Sequence, residues 1–177
     1  MASNIKIAVD AMGGDNSPKK IIDGILVNSK ENKDVTYNIF GDKDKIQSLF
    51  PKNFNKETFN IIDTKNKILD TDSPLSAAKK GKDTSMWLTI DSVKKNESHV
   101  AISAGNTGAL FVISKLNLKM IENIEKPALS ALWPNKKNFN VVLDLGANIE
   151  CSEKNLVDFS LMGSALHKSL FENESPK

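Results

Sequence analysis

Residues 5–15 read IKIAVDAMGGD, an apolar, β-branched run that ends in an acid, two glycines and a second acid. Pro18 follows, and after it apolar residues recur at helical spacing. An apolar run that breaks at glycines before such a segment predicts a strand, a tight loop and a helix. We therefore expect Gly13, Gly14 and Asp15 at the carboxyl end of a strand, where open α/β sheets bind ligands.

The loop has two interpretations that its sequence leaves open. Glycine tolerates a positive φ and lets a ligand approach the backbone closely, so the loop suits a binding site. A Gly-Gly turn with a solvated acid explains the same residues, because glycine-rich turns between strands and helices are common.

Strand and helix patterns alternate along the rest of the chain. Strands are predicted at 5–9, 35–40, 58–62, 100–103 and 140–145, and helices at 18–30, 43–50, 84–95, 106–118 and 152–171. This alternation predicts an α/β fold with a mainly parallel sheet of four or five strands and helices on both faces. The segment 53–73 is polar and weakly periodic, and we expect it to contain an exposed loop.

Composition limits the classes of function. The 177 residues carry 24 Lys and Arg against 22 Asp and Glu, a balance that argues against a general nucleic-acid or membrane-surface binder. The one cysteine, Cys151, excludes an internal disulfide framework and a cysteine-rich metal site. The longest apolar run, 109–113, is far shorter than the ~20 residues of a transmembrane span. We expect a cytoplasmic protein.

Two later loops share the character of the first. SAGNTG at 103–108 follows one predicted strand and opens a helix, and DLGAN at 144–148 follows another. A helix that begins near Asn106 presents free N–H groups and the positive end of its dipole, which together hold phosphate without a special motif. The alternative is an ordinary N-cap formed by Asn106 or Thr107.

Three further features have a structural and a functional interpretation. Burying the Asp144 carboxylate at a strand end costs free energy unless the group is paired or hydrogen-bonded. Asp144 therefore has either a functional role or a capping role. Asn148 either donates to a carbonyl or phosphate oxygen or closes a turn. The run KKGK at 79–82 is either a solvated face or a patch that attracts an acidic substrate or partner.

The remaining reactive residues give no motif for covalent catalysis, a cofactor or a metal. His99 and His167 have no cysteine or acidic motif at ligand spacing, and we expect surface or capped histidines. Cys151 lies beside Glu150 and Glu153, which are expected to raise the pKa of its thiol. The sequence contains no nucleophile elbow and no Walker A loop, and we name neither a cofactor nor a metal ion.

Together these motifs resemble the phosphate acyltransferase family of bacterial phospholipid synthesis. The matching segments are IAVDAMGGD at 7–15, Pro18, Gly41-Asp42, Ser85-Met86, ISAGNTGAL at 102–110, Pro127-Ala128-Leu129, Asp144 with Gly146-Ala147-Asn148, and Met162-Gly163-Ser164. They are collinear and span nearly all of the chain.

The resemblance implies a fold similar to isocitrate and isopropylmalate dehydrogenases and phosphotransacetylases, typically as a homodimer. It implies an enzyme that makes acyl phosphate and free acyl carrier protein from acyl-acyl carrier protein and inorganic phosphate. A membrane glycerol-3-phosphate acyltransferase is the implied acceptor of the acyl phosphate, so a peripheral location at the inner membrane face is an option. Because family members are longer, residues 1–177 are expected to be the N-terminal portion of such an enzyme, with the C-terminal part absent.

Under this resemblance each candidate residue receives a role. Catalysis is assigned to Asp10, Asn106, Asp144 and Asn148; phosphate or substrate binding to Gly13, Gly14, Asp15, Ser103, Gly105, Thr107, Gly108, Gly146 and Ala147; and carrier-protein binding to Lys79, Lys80 and Lys82. Asp144 is expected to hold a cationic donor in place.

Two other functions remain open. The chain is alternatively a folded remnant that binds anions or a partner without turnover. A third option is a transferase that uses coenzyme A, like the phosphotransacetylases.

Overall fold

The computed structural model describes residues 4–171, which fall into two compact units that divide between Leu118 and Lys119. In chain order the elements are β1 (Ile5–Asp10), α1 (Lys19–Glu31), β2 (Val35–Gly41), α2 (Lys43–Leu49), β3 (Phe59–Asp63), α3 (Pro74–Lys79), α4 (Ser85–Lys94), β4 (Val100–Ser103), α5 (Thr107–Asn117), β5 (Ser130–Pro134), β6 (Phe139–Leu143) and α6 (Glu153–Leu170).

The first unit contains a four-stranded parallel sheet with the strand order β3-β2-β1-β4. β1 lies inside the sheet, and its Val9 is in register with Ile39 of β2 and Ile102 of β4. Because β1 and β4 are neighbours and parallel, the loops that follow them leave the same edge of the sheet. The α/β class with a mainly parallel sheet is confirmed.

Helices cover both faces of this sheet. One hydrophobic cluster joins Val9 and Ile39 to Ile22 of α1 and Ile46 of α2. The other joins helices α3, α4 and α5 and includes Ala101 of β4, whose register partner is Ala8 of β1. Since successive residues of a strand face opposite ways, the odd-numbered Ile7 and Val9 of β1 both face the first cluster.

Of the predicted four or five strands in one sheet, the structure has four. β6 does form from the predicted segment, but it pairs antiparallel with β5 in a separate two-stranded sheet of the second unit. An apolar run indicates a strand without indicating its partner, because pairing depends on contacts distant in sequence.

Two short elements, β5 and α3, were not predicted. β5 has five residues and ends at Pro134, and α3 has six. Such lengths are too short for periodicity to identify. A local signal for α3 was nevertheless available, since Ser73 caps the helix by accepting from the Ser76 N–H and Pro74 occupies its first turn.

An ionic cluster joins the ends of β2 and β3. The Lys65 Nζ lies 2.9 Å from Asp42 Oδ1 and 3.2 Å from Asp44 Oδ2. Asp42 also caps α2 by accepting from the Lys45 N–H at 3.3 Å. The hydrogen bond from Lys65 lowers the pKa of Asp42 to about 2.

We expect Asp42→Asn to make the fold less sensitive to acid. The depressed pKa means that ionised Asp42 stabilises the folded state above its unfolded pKa of 3.8, and that this stabilisation is lost as the pH falls through about 2. Asparagine keeps the helix cap but not the charge. Urea unfolding midpoints from pH 2 to 6 should differ between the two proteins at pH 6 and converge near pH 2.

Asp23→Asn is the matched control, because Asp23 pairs with Lys19 on the exposed side of α1. Its effect on the midpoint should be smaller. A difference for Asp42→Asn that stays constant over the whole pH range would contradict the assignment.

Candidate functional site

The loops after β1 and β4 touch each other through glycines. A Cβ atom at Gly13 would lie 2.8 Å from the Gly105 nitrogen, and one at Gly14 would lie 2.5 Å from the Ala104 oxygen. Gly14 also has a φ of +79°, which side-chain-bearing residues rarely adopt. The glycines that the sequence singled out are therefore required for the two loops to approach this closely.

The buried carboxylate of Asp10 connects the same loops by hydrogen bonds. Its Oδ1 accepts from the Met12 N–H at 3.1 Å, and its Oδ2 accepts from the Ser103 hydroxyl at 2.7 Å. The Ser103 oxygen in turn accepts from the Gly105 N–H at 3.2 Å. The Ser103 hydroxyl has a single hydrogen, which it donates to Asp10. It therefore cannot also donate to a ligand.

Both polar atoms of the Asn106 side chain are hydrogen-bonded within the fold. Its Oδ1 accepts from the Ala109 N–H at 2.9 Å and so caps α5. Its Nδ2 donates to the carbonyl oxygens of Asp70 at 3.0 Å and Asp72 at 2.9 Å. The side chain thus caps the helix and also holds the segment before α3 against it.

The free donors at this edge of the sheet are main-chain groups and the exposed hydroxyl of Thr107. Within residues 4–171 the N–H groups of Asn106, Thr107 and Gly108 have no hydrogen-bond acceptor. Thr107 is exposed and Gly108 is half-buried, so both are open to solvent. These groups form the first turn of α5, where the helix dipole favours an anion.

The 144–148 loop belongs to the second unit and is held by its own hydrogen bonds. Asp144 Oδ1 accepts from the Asn148 backbone N–H at 3.2 Å and from Asn148 Nδ2 at 3.0 Å. Asn148 Nδ2 also donates to the Pro127 oxygen at 2.9 Å. Asp144 has a φ of +57° and Gly146 one of +81°, so the backbone turns sharply at both.

The partners of Asp144 differ from the predicted cation. Among the described residues its carboxylate accepts from Asn148 and from the Cys151 thiol, whose Sγ lies 3.4 Å from Oδ2. Burial acts to raise the pKa of Asp144, but these hydrogen bonds outweigh burial and lower it. The predicted rise in the pKa of Cys151 is confirmed, although its causes are burial and Asp144 rather than Glu150 and Glu153.

The lysines of the 79–82 run differ in their ion pairing. All three are exposed, but the Lys80 Nζ lies 2.5 Å from Asp72 Oδ2 and ties the end of α3 to the segment before it. In the described part of the chain Lys79 and Lys82 make no such ion pair.

The two histidines each contact other residues of the fold. The exposed His99 accepts from the Lys6 backbone N–H through Nδ1 at 2.9 Å, so it holds the start of β1. His167 packs its ring 4.9 Å from that of Phe171, and its buried Nδ1 has no partner within residues 4–171. Across this range no three His, Cys, Asp or Glu side chains cluster as metal ligands would.

Sequence reasoning did not find two features around this site. The sequence predicts an exposed loop before α3, yet this segment contacts α5 through Asn106, and a Cβ at Gly108 would lie 2.7 Å from Pro74 Cγ. The apolar groove beside Gly14 likewise has no signal in the sequence, because distant segments line it. No helix in the described part of the chain has the length and apolar character needed to cross a bilayer.

Comparisons with known proteins identify relatives for the whole chain. A family model described as "Fatty acid synthesis protein" matches residues 5–177. A protein named "Phosphate acyltransferase" from Pelagibacter ubique is 67% identical over 177 residues, which are 100% of this chain and 53% of that protein. Proteins of the same name from Ehrlichia canis and Parvibaculum lavamentivorans are 42% and 40% identical over 99% of this chain. The chain spans about half the length of the curated relatives that it matches.

We expect Asp10→Ala to destabilise the first unit strongly. The substitution leaves the Met12 N–H and the Ser103 hydroxyl without their acceptor, and each buried unsatisfied group costs about 1–3 kcal/mol. The free energy of unfolding should fall by roughly 2–4 kcal/mol in urea titrations. Asp15→Ala, an exposed position in the same loop, should change it by less than about 0.5 kcal/mol. Equal losses for the two variants would disprove the role of Asp10.

Proposed function

The chain belongs to the fatty acid synthesis protein family, as its motifs predicted, and on that premise we propose that it supplies the phosphate-binding portion of an acyltransferase. The proposed reaction forms acyl phosphate and free acyl carrier protein from acyl-acyl carrier protein and inorganic phosphate. The observation that carries this proposal is the set of free main-chain donors at Asn106, Thr107 and Gly108, beside the glycine loop of β1.

The N-terminus of α5 supports anion binding on electrostatic grounds. The helix has eleven residues, and its aligned peptide dipoles place about half a positive charge at its first turn. The negative charge of Asp10 is compensated by the Met12 N–H and the Ser103 hydroxyl, so it opposes a bound phosphate less than a free carboxylate would.

We divide the proposed residues of the first unit into binding and positioning groups. The backbones of Gly13, Gly14, Gly105, Thr107 and Gly108 line the approach to the phosphate. Asp10, Ser103 and Asn106 hold those backbones in place, because their side chains are engaged within the fold. Asp15 is exposed and free of hydrogen bonds among the described residues, and we propose that it orients donors of the glycine loop.

The substrate role proposed for the 144–148 loop rests on the sequence resemblance. Asp144 and Asn148 are assigned to catalysis, and Gly146 and Ala147 to the backbone that faces the substrate. Their mutual hydrogen bonds support a rigid turn, so Asp144 is proposed to position Asn148.

The chemistry proposed for this site is direct attack by phosphate on the thioester. An oxygen of hydrogen phosphate bonds to the carbonyl carbon, the carbon–sulfur bond breaks, and the phosphate proton passes to the leaving thiolate. No covalent enzyme intermediate is needed, which agrees with the lack of a nucleophile motif. Well-oriented reactants remove ~7–11 kcal/mol of barrier, and one donor to the developing oxyanion is worth ~3–4 kcal/mol.

The implied partners belong to the same proposal. Acyl carrier protein is the acyl donor, and the exposed Lys79 and Lys82 are proposed to attract it. Lys80 is proposed to support this surface through its ion pair with Asp72. We further propose a cytoplasmic homodimer whose N-terminal portion is this chain, and a membrane glycerol-3-phosphate acyltransferase as the downstream enzyme.

An alternative is a chain that folds and binds anions or a partner without turnover. The observation that favours it is that the free main-chain groups at the N-terminus of α5 are donors, which hold an anion without supplying a base or a nucleophile. Phosphate binding is common to both functions, so an assay of product formation is needed to separate them.

We expect Thr107→Pro to weaken phosphate binding without unfolding the helix. Thr107 is the first residue of α5, where proline removes the N–H donor and the side-chain hydroxyl but is well tolerated. Asn106 already has the extended ψ of 113° that a following proline requires. Isothermal titration with inorganic phosphate should give an affinity at least roughly tenfold lower, since a hydrogen bond to a charged group is worth ~1.5–3 kcal/mol.

Glu153→Pro is the matched control, because Glu153 is the first residue of α6. It should leave the phosphate affinity unchanged. If Thr107→Pro binds phosphate as tightly as the unaltered chain, the N-terminus of α5 is not part of the site.

We expect the 177-residue chain to release free carrier protein from acyl-acyl carrier protein only when phosphate is present. The rate should saturate with phosphate and should fall in Thr107→Pro, because the same donors hold the nucleophile. Gel separation of free and acylated carrier protein measures it. Bound phosphate without release would support the non-catalytic alternative, and faster turnover of acyl-coenzyme A would favour a coenzyme A-dependent transferase.

A further inference from the structure

An open groove of about 590 Å³ lies in the first unit between α1 and the neighbouring strands β1 and β4. Aliphatic side chains make up much of its lining: Ile7, Val9, Ile21, Ile25, Ile102 and Ala104. Ile102 retains 49% of its exposure, so an apolar strand face is left open to solvent. The groove therefore suits an apolar ligand.

The groove is continuous with the glycine loop. Gly14, Asp15 and Ala104 line it at the carboxyl ends of β1 and β4. Tyr37 and Asn28 also line the groove, nearer the amino end of β1, where Tyr37 is in register with Ile7. The Tyr37 hydroxyl donates to Asn28 Oδ1 at 2.5 Å. An apolar trough thus runs along the strand from the loops to a polar pair.

The second observation that supports a ligand in this groove is the glycine at position 24. It lies in the interior of α1 and lines the groove, and a Cβ atom built there would meet nothing within 4 Å. Its φ lies outside the positive range, so neither backbone conformation nor packing within the described residues requires glycine. Glycine destabilises a helix interior relative to alanine. What the missing side chain provides is space in the groove.

We propose that this groove binds the linear acyl chain of the acyl donor, with the carbonyl end toward Gly14 and Ala104. This inference rests on the proposed function, because the reaction requires an acyl group beside the bound phosphate. Methylenes would pack on Ile21, Ile25 and Ile102, and the Tyr37–Asn28 pair would limit the length of chain that fits.

Binding of hexanoate, octanoate and decanoate to the 177-residue chain tests this, each used as its sodium salt below its micellar concentration. Burial of one methylene is worth a factor of roughly four in affinity, so each two-carbon step should tighten binding by about fifteenfold until the trough is filled. Methyl NMR signals of Ile21, Ile25 and Ile102 should shift on titration. Shifts confined to the second unit, or affinities that do not depend on chain length, would overturn the proposal.

Gly24→Leu should block the groove without harming the fold, because leucine favours the helix and open space receives its side chain. We expect at least tenfold weaker decanoate binding. Val27→Leu is the control: Val27 is 59% exposed on the same helix and does not line the groove, so its variant should bind decanoate normally. Unchanged decanoate binding by Gly24→Leu would overturn the proposal.

A parallel titration with inorganic phosphate separates the two proposals. Intact phosphate binding together with absent or length-independent decanoate binding would defeat the acyl groove alone. Decanoate binding that Gly24→Leu abolishes, without phosphate binding at α5, would defeat the phosphate site while leaving the groove. A bulky probe, adamantane-1-carboxylate, should bind more weakly than decanoate; tighter binding would show that the groove does not select a linear chain.

Discussion

The hydrogen bond between Asp10 and Ser103 joins the two loops on which the proposed site depends. Asp10 is the last residue of β1 and is 2% exposed, so its carboxylate would be costly there without donors. The Ser103 hydroxyl and the Met12 N–H supply them. Because Ser103 ends β4, this one contact fixes the loops of adjacent strands relative to each other.

The close approach of these loops dictates the residue types around them. Gly13 and Gly14 leave no room for a side chain against Gly105 and Ala104, so the backbones meet directly. Side-chain donors near the junction are then consumed by the fold, as Asn106 is by α5 and the segment before α3. What remains for an anion is the main-chain N–H groups at the start of α5 and the Thr107 hydroxyl, none of which carries a net charge.

The second unit has a different organisation. Its two-stranded antiparallel sheet, α6 and the 144–148 turn form a unit of their own, and Asp144 is the acceptor that holds the turn together through Asn148 and Cys151. The family model covers residues of both units. The apolar groove along β1 adds a place for the acyl chain next to the anion site of the first unit.

The sequence by itself determined the α/β class, the long helices and the strand-loop-helix junctions, because periodicity and glycine position are local signals. It also indicated the family, since DAMGGD and SAGNTGAL occur together in one order. Whether Asn106 serves as a cap or as a ligand stayed open, because the carbonyl groups of Asp70 and Asp72 that engage its amide are distant in sequence. Only the tertiary structure decided that β6 leaves the parallel sheet, that Asp10 reaches Ser103 and that Gly24 opens a groove. Strand pairing, burial of a carboxylate and the shape of a cavity all arise from contacts between segments far apart in the chain, and no local pattern encodes them.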